Sequence, residues 1–336
     1  MKRYHIAIVG ATGVVGQELL KILAERNFPV GELSLLASER SEGKIIVWQG
    51  REYQVHATTE DSFKGVDIAL FAGGSAALTY GAAAVKAGAV VIDNSSNFRY
   101  DPEVPLIVPE VNPQDVHAHK GIIANPNCST IQMVVALKPL HDAARIKKII
   151  VSTYQAVSGA GLPGLQELQQ QSAQLSRGEA VTPTAFPYQI AFNVIPNIDV
   201  LEDNGYYKEE MKMVWETRKM FHDDEIRISA TAVRVPVFRS HSEAITIETE
   251  KPLSPEQARE ILSVAANVVV IDEPGEKKYP MPLFCSDTDQ VYVGRIRKDL
   301  AFDNGLCLWV VADQIRKGAA TNAVQIAELL LSEKML

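Results

Sequence analysis

A Rossmann-like, doubly wound parallel α/β sheet, followed by an α+β domain with a mixed or antiparallel sheet, is the architecture this sequence predicts. Three observations predict it. Short apolar runs alternate with helical spacing in the first part of the chain, and each run ends in glycine or small polar residues. The first run ends in Gly10-Ala11-Thr12-Gly13-Val14-Val15-Gly16 and opens a helix, the order strand, glycine turn, helix of a dinucleotide fold. Past Cys128 the runs become long, β-branched and polar-alternating, which reads as a second sheet.

Composition bounds the function. At 336 residues the chain holds two domains, each with its own core. A net charge of −8 without a basic block excludes nucleic acid as the expected partner. No apolar stretch approaches the ~20 residues that span a bilayer. The N-terminus enters a strand pattern directly and shows no signal-peptide core. Cys128, Cys285 and Cys307 stand far apart in an unpatterned set, which argues for a reducing compartment and against disulfides, zinc or another metal site. The expectation is a cytoplasmic soluble protein.

In chain order, Ile6-Ala7-Ile8-Val9 is the first strand. Val15, Leu19, Leu20, Ile22 and Leu23 recur at helical spacing after it. The glycines between let backbone approach a pyrophosphate, and the helix N-terminus supplies N–H groups and positive dipole. The next run, Leu33 to Ala37, ends at Ser38-Glu39-Arg40-Ser41-Glu42-Gly43, where such a fold meets the adenosine ribose. Glu39 there suits a 2′-hydroxyl, as in NAD; Arg40 with Ser38 and Ser41 suits a 2′-phosphate, as in NADP. Ile45–Trp48 and Glu52–Val55 read as a hairpin turning at Gly50. Val66 to Phe71 and Val90 to Asp93 are further strands, with an alanine-rich helix from Ala76 to Ala87 between them.

Asn125-Pro126-Asn127-Cys128-Ser129-Thr130 follows the buried strand Ile122-Ile123-Ala124 and precedes an apolar run that is a helix or a second buried element. A cysteine at a sharp strand-to-helix turn meets free N–H groups and a helix dipole that favour the thiolate, hence a nucleophile at neutral pH. A small buried hydrophobe is the alternative for Cys128 taken alone.

The second domain opens with a long strand, Lys148 to Val157, broken by Ser158-Gly159-Ala160-Gly161. Gly164 to Arg177, glutamine-rich with few apolar anchors, reads as a surface helix or one packed on a partner subunit. Tyr206 to Phe221 reads as a helix with Glu209, Lys212, Glu216 and Lys219 on one face. Ile226–Pro236, Glu243–Glu250, Val291–Arg297 and Leu306–Ala312 are its other strands. Gly318 to Asn322 opens a C-terminal helix whose Ala323, Ile326, Ala327 and Leu330 form one apolar face.

Eight stretches in order, Gly10–Gly16, Ser38–Gly43, Asn94–Arg99, Asn125–Thr130, Gln155–Gly161, Glu209–Lys212, Arg234–His241 and Asp313–Glu328, carry a resemblance to the aspartate-semialdehyde dehydrogenase family over essentially the whole chain. The resemblance implies reduction of L-aspartyl 4-phosphate to L-aspartate 4-semialdehyde with NADPH and release of phosphate, through a cysteine thioester. The product feeds biosynthesis of lysine, threonine, methionine and diaminopimelate. It implies an NADP-binding domain of residues 1–127 and 318–336, a catalytic and dimerisation domain of residues 128–317, and a homodimer or homotetramer. Cys128 matches the nucleophile, His241 the general acid/base and Gln155 the residue that orients the acyl group. Arg234 matches the arginine on the substrate α-carboxylate, Glu209 the carboxylate near its amino group, and Lys212 with Arg99 the phosphate site. Asn127 stands beside the oxyanion. Gly10, Thr12, Gly13, Val14, Val15, Ser38, Arg40, Ser41, Ser158, Gly159 and Gln314 match cofactor-binding positions.

Two positions depart from the family. Glu39 sets a negative charge beside the 2′-phosphate site, and Gln314 stands where an asparagine is expected. Arg234 and His241 are an odd number of residues apart, so an unbroken strand would turn them to opposite faces; Pro236 calls for a bulge or a break between them. The nearest rival is N-acetyl-γ-glutamyl-phosphate reductase, whose motif resembles His-Pro-Gly-Cys rather than Asn125-Pro126-Asn127-Cys128. A non-catalytic nucleotide-binding relative is the rival from another class, and the presence of both Cys128 and His241 speaks against it.

Overall fold

The computed structural model describes residues 2–336. The first part of the chain runs β1 (Tyr4–Val9), α1 (Val14–Glu25), β2 (Val30–Ala37), β3 (Ile45–Trp48), β4 (Arg51–Ala57), β5 (Ile68–Phe71), α2 (Ala76–Lys86), β6 (Val90–Asp93) and β7 (Ile122–Ala124). Next come α3 (Cys128–Ala144), β8 (Ile146–Gln155), α4 (Gly161–Ser176), α5 (Lys208–Phe221), β9 (Arg227–Arg234) and β10 (His241–Thr249). The remainder is α6 (Pro255–Ser263), β11 (Val268–Val270), α7 (Pro282–Cys285), β12 (Val291–Lys298), β13 (Gly305–Ala312) and α8 (Thr321–Ser332). No described helix is long and apolar enough to cross a membrane.

The chain divides into two compact units: residues up to Asn127 together with those from Ala319 onward, and Cys128–Gly318. Among the described residues the first unit holds a seven-stranded sheet in the order β3-β4-β2-β1-β5-β6-β7. All its pairings are parallel except the β3–β4 hairpin, which turns through Gln49 and Gly50, both with positive φ. Strand order reverses direction at β1, so the carboxyl end of β1, at Gly10, is the topological switch point where such sheets take ligands. One face packs Ile6, Ile8 and Ile68 against Leu19 and Leu23 of α1 and against Ala323, Val324, Ala327 and Leu330 of α8. Arg26 after α1 clamps Glu328 of α8 with two bonds, Nε to Oε1 at 2.8 Å and Nη2 to Oε2 at 2.6 Å. The other face packs Ala7, Ala69, Phe71 and Val91 against Ala77 and Ala84 of α2.

The second unit holds a six-stranded mixed sheet, β11-β12-β13-β10-β8-β9, parallel at its two outer pairs (β11–β12 and β8–β9) and antiparallel between. Helix α3 packs across β8, β10, β12 and β13, α5 lies over β9, and α6 over β11 and β12. Burial alternates along β10 from Glu243 onward: Glu243, Ile245 and Ile247 are buried, whereas Ala244, Thr246 and Glu248 are not; at its start both His241 and Ser242 are buried. The other face of this sheet leaves Ile150 and Tyr154 of β8 exposed.

The ambiguous run after Cys128 is helical, and α3 begins at the cysteine itself. Helix α6 and the short β11 are absent from the sequence-based expectation, although β11 is the apolar run Val268-Val269-Val270. Helix α4 leaves Gln166, Gln169 and Gln170 exposed, as a surface helix does, but buries two other polar side chains. Glu167 is 4% exposed and accepts bonds from Thr184 N, Thr184 Oγ1 and Ala185 N; Gln171 Oε1 accepts from Ile190 N and Ala191 N. Two side chains one turn apart thus fasten the following loop to α4.

Candidate active site

In the first unit, Gly10 adopts φ of +89°, which only glycine takes without strain. A Cβ on Gly16 would lie 2.2 Å from the Gly10 carbonyl oxygen, so α1 can close on the loop only with glycine there. The N-cap of α1, Gly13, offers no side-chain cap, and the first turn of α1 carries no acidic residue. Its amide groups and dipole are therefore left for an external anion. A cleft of about 510 Å³ adjoins this loop, lined by Gly10, Ser38, Glu39, Arg40, Gly73 and Ser75 among others. Ser41 is buried and its hydroxyl pairs with Thr12 Oγ1 at 3.3 Å, tying the β2 tip to the glycine loop, while Arg40 is exposed at the cleft. Val14 and Val15 are half-buried at the start of α1. These features fit a dinucleotide with a 2′-phosphate, and Glu39 shares the same cleft.

Arg99, in the same unit, is buried and its Nη2 donates to the Asn94 carbonyl at 2.9 Å. The loop that leads to Cys128 is held by an asparagine chain that the sequence did not disclose. Asn322 Nδ2 donates to Asn125 Oδ1 at 2.6 Å, and Asn125 Nδ2 donates to Asn94 Oδ1 at 2.8 Å and to the Ala319 carbonyl at 3.2 Å. Asn127 at the end of this loop is also buried.

In the second unit the site is a row across the sheet. Gln155 is in register with Arg234 on β9, and Tyr154 pairs with Ser242 on β10, which sets Gln155 beside His241. The strand does break around Pro236: β9 ends at Arg234 and β10 begins at His241 on the far side of β8. Both side chains therefore point to the face covered by helices, despite the odd spacing. Gln155 Nε2 donates to Glu209 Oε1 at 3.0 Å and lies 3.3 Å from His241 Nε2; its Oε1 accepts from Thr153 Oγ1 at 3.1 Å.

Arg234 is 7% exposed, and its Nη1 donates to the Ala156 carbonyl at 2.7 Å. Among the described residues no carboxylate forms an ion pair with it. Burial pulls its pKa below the ordinary arginine value, opposed only in part by Glu209 and Cys128. The helical Glu209/Lys212 face is not solvated, for Glu209, Lys212 and Glu216 are all buried. Lys212 Nζ donates to Glu209 Oε2 at 2.9 Å and to Asp199 Oδ2 at 2.6 Å. Burial alone would lower the lysine pKa, but Glu209 and Asp199 outweigh it and hold it at about 12. Asp199 lies in a loop with no motif, and nothing in the sequence marked it.

His241 is fully buried and Nδ1 accepts the Ala156 backbone N–H at 3.0 Å. Desolvation first, then the Arg234 charge, push its pKa down to about 3, with Glu209 opposing. Gly159 is hemmed by this pair, since a Cβ there would stand 2.7 Å from Arg234 Nη1 and 3.4 Å from the imidazole. Gln314 Oε1 accepts the Ser240 N–H at 2.7 Å, and its Nε2 donates to Ser158 Oγ, so Ser158, Gly159 and Gln314 form one cluster.

The three cysteines separate clearly. Burial raises Cys285 to about 11 and raises Cys307 as well, which disfavours a thiolate at either. Cys128 is partly exposed at the first residue of α3, where the helix end favours an anion.

Comparison with known proteins agrees with both units. Residues 5–119 match the family described as semialdehyde dehydrogenase, NAD binding domain, and residues 137–317 match semialdehyde dehydrogenase, dimerisation domain. Aspartate-semialdehyde dehydrogenase of Aquifex aeolicus is 60% identical over 99% of each chain. The crystal structure of aspartate semialdehyde dehydrogenase II from Vibrio cholerae complexed with ASA superposes with a TM-score of 0.96 at 50% identity, covering 99% of each chain. Aspartate semialdehyde dehydrogenase with NADP from Candida albicans is 26% identical over 100% of each chain, with a TM-score of 0.76. Full-length identity of this order, on a chain whose buried guanidinium, imidazole and partly exposed thiol share one unit, places this chain in the aspartate-semialdehyde dehydrogenase family.

Proposed function

We infer that this chain reduces L-aspartyl 4-phosphate to L-aspartate 4-semialdehyde with NADPH and releases phosphate. The observation that carries the reading is the row Arg234–Gln155–His241, with a buried guanidinium that has no carboxylate of its own in contact. Such a group calls for an anionic substrate, and a planar fork suits an α-carboxylate. Beside it Glu209 suits an α-ammonium. Arg234 and Lys212 against Glu209 and Asp199 leave this cluster with balanced charge, the condition for a zwitterionic amino acid.

The residue roles follow from chemistry. The Cys128 thiolate attacks the acyl carbon, a C–S bond forms, the C–O bond to phosphate breaks, and phosphate leaves with the electron pair. Arg99 and Lys212 bind that phosphate. NADP(H), when bound, supplies the hydride that reduces the thioester carbonyl. N–H groups at the start of α3, with Asn127, stabilise the resulting oxyanion. Its collapse breaks the C–S bond, which returns Cys128 as thiolate and releases the aldehyde. His241 acts here as a hydrogen-bond donor: with Nδ1 occupied by the Ala156 N–H, the neutral ring carries its proton on Nε2.

Residues 1–127 with 318–336 hold the cofactor, through Gly10, Thr12, Gly13, Val14, Val15, Ser38, Arg40 and Ser41. Ser158, Gly159 and Gln314 complete the assignment on family grounds. The open face of the second sheet, with Ile150 and Tyr154, is the surface we assign to a homodimer, and the cytoplasm is the compartment. Phosphate-dependent reduction of NADP by aspartate semialdehyde tests the activity: no NADPH formed, or equal rates without phosphate, would overturn it.

A further inference from the structure

Two residues beyond His241 on the same strand face sits Glu243, fully buried and unused by the chemistry above. Its register partner on β8 is Thr153, the residue whose hydroxyl holds Gln155. Across from β10, α3 presents Gln132, one helical turn after Cys128 and also fully buried. Gln132 Nε2 donates to the His241 carbonyl at 3.4 Å. Its Oε1 and both carboxyl oxygens of Glu243 have no hydrogen-bond partner among the described residues. The two side chains adjoin, and burial raises the Glu243 pKa well above the ordinary carboxylate value, with Gln132 opposing in part.

A bare carboxylate here would be a fully buried charge with neither oxygen satisfied by a hydrogen bond, a costly arrangement. Protonated, the same group turns from acceptor to donor and gives Gln132 Oε1 the proton it lacks. Gln132 would then be held at both ends, by Glu243 and by the His241 carbonyl. We propose that Glu243, as the neutral acid, is a positioning residue that fixes the first turns of α3, and with them Cys128, against the strand that carries His241. The proposal rests on Cys128 and His241 being the reacting pair.

The test compares Glu243→Gln, Glu243→Leu and Gln132→Leu in the full-length enzyme, with Cys128→Ala alongside. Glutamine keeps shape, neutrality and a donor; leucine keeps volume and removes the donor. Glu243→Gln should hold kcat within about threefold, whereas Glu243→Leu should lose about thirtyfold or more, since small misplacement of reacting groups costs up to about 10². KM for NADP should stay within about twofold, and alkylation of Cys128 by iodoacetamide should slow in Glu243→Leu but not in Glu243→Gln. Gln132→Leu should show the same loss, and it carries the test alone if Glu243→Leu does not fold; where both fold, the double variant should be no worse than either single one. Wild-type kcat in either leucine variant would overturn the proposal, as would equal loss in Glu243→Gln and Glu243→Leu. Activity in Cys128→Ala would instead overturn the reacting pair itself, so the two failures are distinguishable.

Discussion

The backbone N–H of Ala156 donates to Nδ1 of His241, and this bond decides what the histidine can do. A backbone amide cannot accept, so Nδ1 is unprotonated and an imidazolium would set one N–H against another. The same ring is desolvated and faces Arg234, and its pKa falls to about 3. The sign for stability follows. An unfolded chain binds the proton below about pH 6.5, while the folded one does so only near pH 3. Stability from this group is therefore complete above pH 6.5 and declines as pH falls toward 3, by on the order of 1 kcal/mol per pH unit. Urea unfolding at pH 7 and pH 5 should show wild type losing more over that interval than His241→Asn, and parallel losses would contradict the burial argument.

Cys128→Ala should abolish turnover and leave NADP binding intact. Loss of a covalent nucleophile should exceed the roughly 10²–10³ of one oxyanion donor. Cys285→Ala and Cys307→Ala should keep activity within about threefold, because their thiols are held protonated by burial. Residual activity of Cys128→Ala above about a hundredth of normal would count against the assignment.

Gly159→Ala should raise KM for the semialdehyde about tenfold, near 1.4 kcal/mol, because the new methyl group meets Arg234 Nη1 at 2.7 Å. KM for NADP is the control, and equal increases in both would point to misfolding rather than to a displaced guanidinium.

Arg40→Ala should raise KM for NADPH far more than for NADH, by about tenfold or more, through loss of charge-assisted bonds to the 2′-phosphate. Glu39 lines the same cleft, so the paired variant Glu39→Ala should sharpen the preference. A native preference for NADH would mean that Glu39 faces the ribose.

Glu209→Gln should weaken semialdehyde binding and narrow the preference for a free over an acetylated amine. Ratios of kcat/KM for aspartate semialdehyde and N-acetyl-glutamate semialdehyde, in both proteins, measure it. Comparable use of the acetylated compound by wild type would favour the rival reductase chemistry, since a buried carboxylate attracts an ammonium far more strongly than a neutral acetamide.

Periodicity carried much of this fold. Polar alternation marked β9, β10, β12 and β13, and helical spacing marked α1 and α8, because each buries one face along a continuous period; β8 was legible as a long strand and α2 from its alanines. Helix α6 shows little such signal, since it buries only Ala258 and Leu262, and β11 is a run of three valines too short to show a period. Proximity was less legible. Ala156 contributes a backbone group, which any residue type supplies, and Asp199 reaches Lys212 from a loop without periodicity. Glu243 did leave a trace: a charged residue on the inward side of a strand, in phase with Ile245 and Ile247.

Because α8 fills the core beneath β1 and α1, the sheet that is synthesised first is also the last to be finished. The ribosome must make all of Cys128–Gly318 before Ala323, Val324, Ala327 and Leu330 emerge. At roughly 5–20 residues per second that interval lasts on the order of 10–40 s. Throughout it, one side of a mostly parallel sheet presents Ile6, Ile8 and Ile68 without the helix that seals them. The nascent chain is thus exposed to misassociation before the first sheet is sealed, and chaperone demand should fall sharply once α8 clears the exit tunnel.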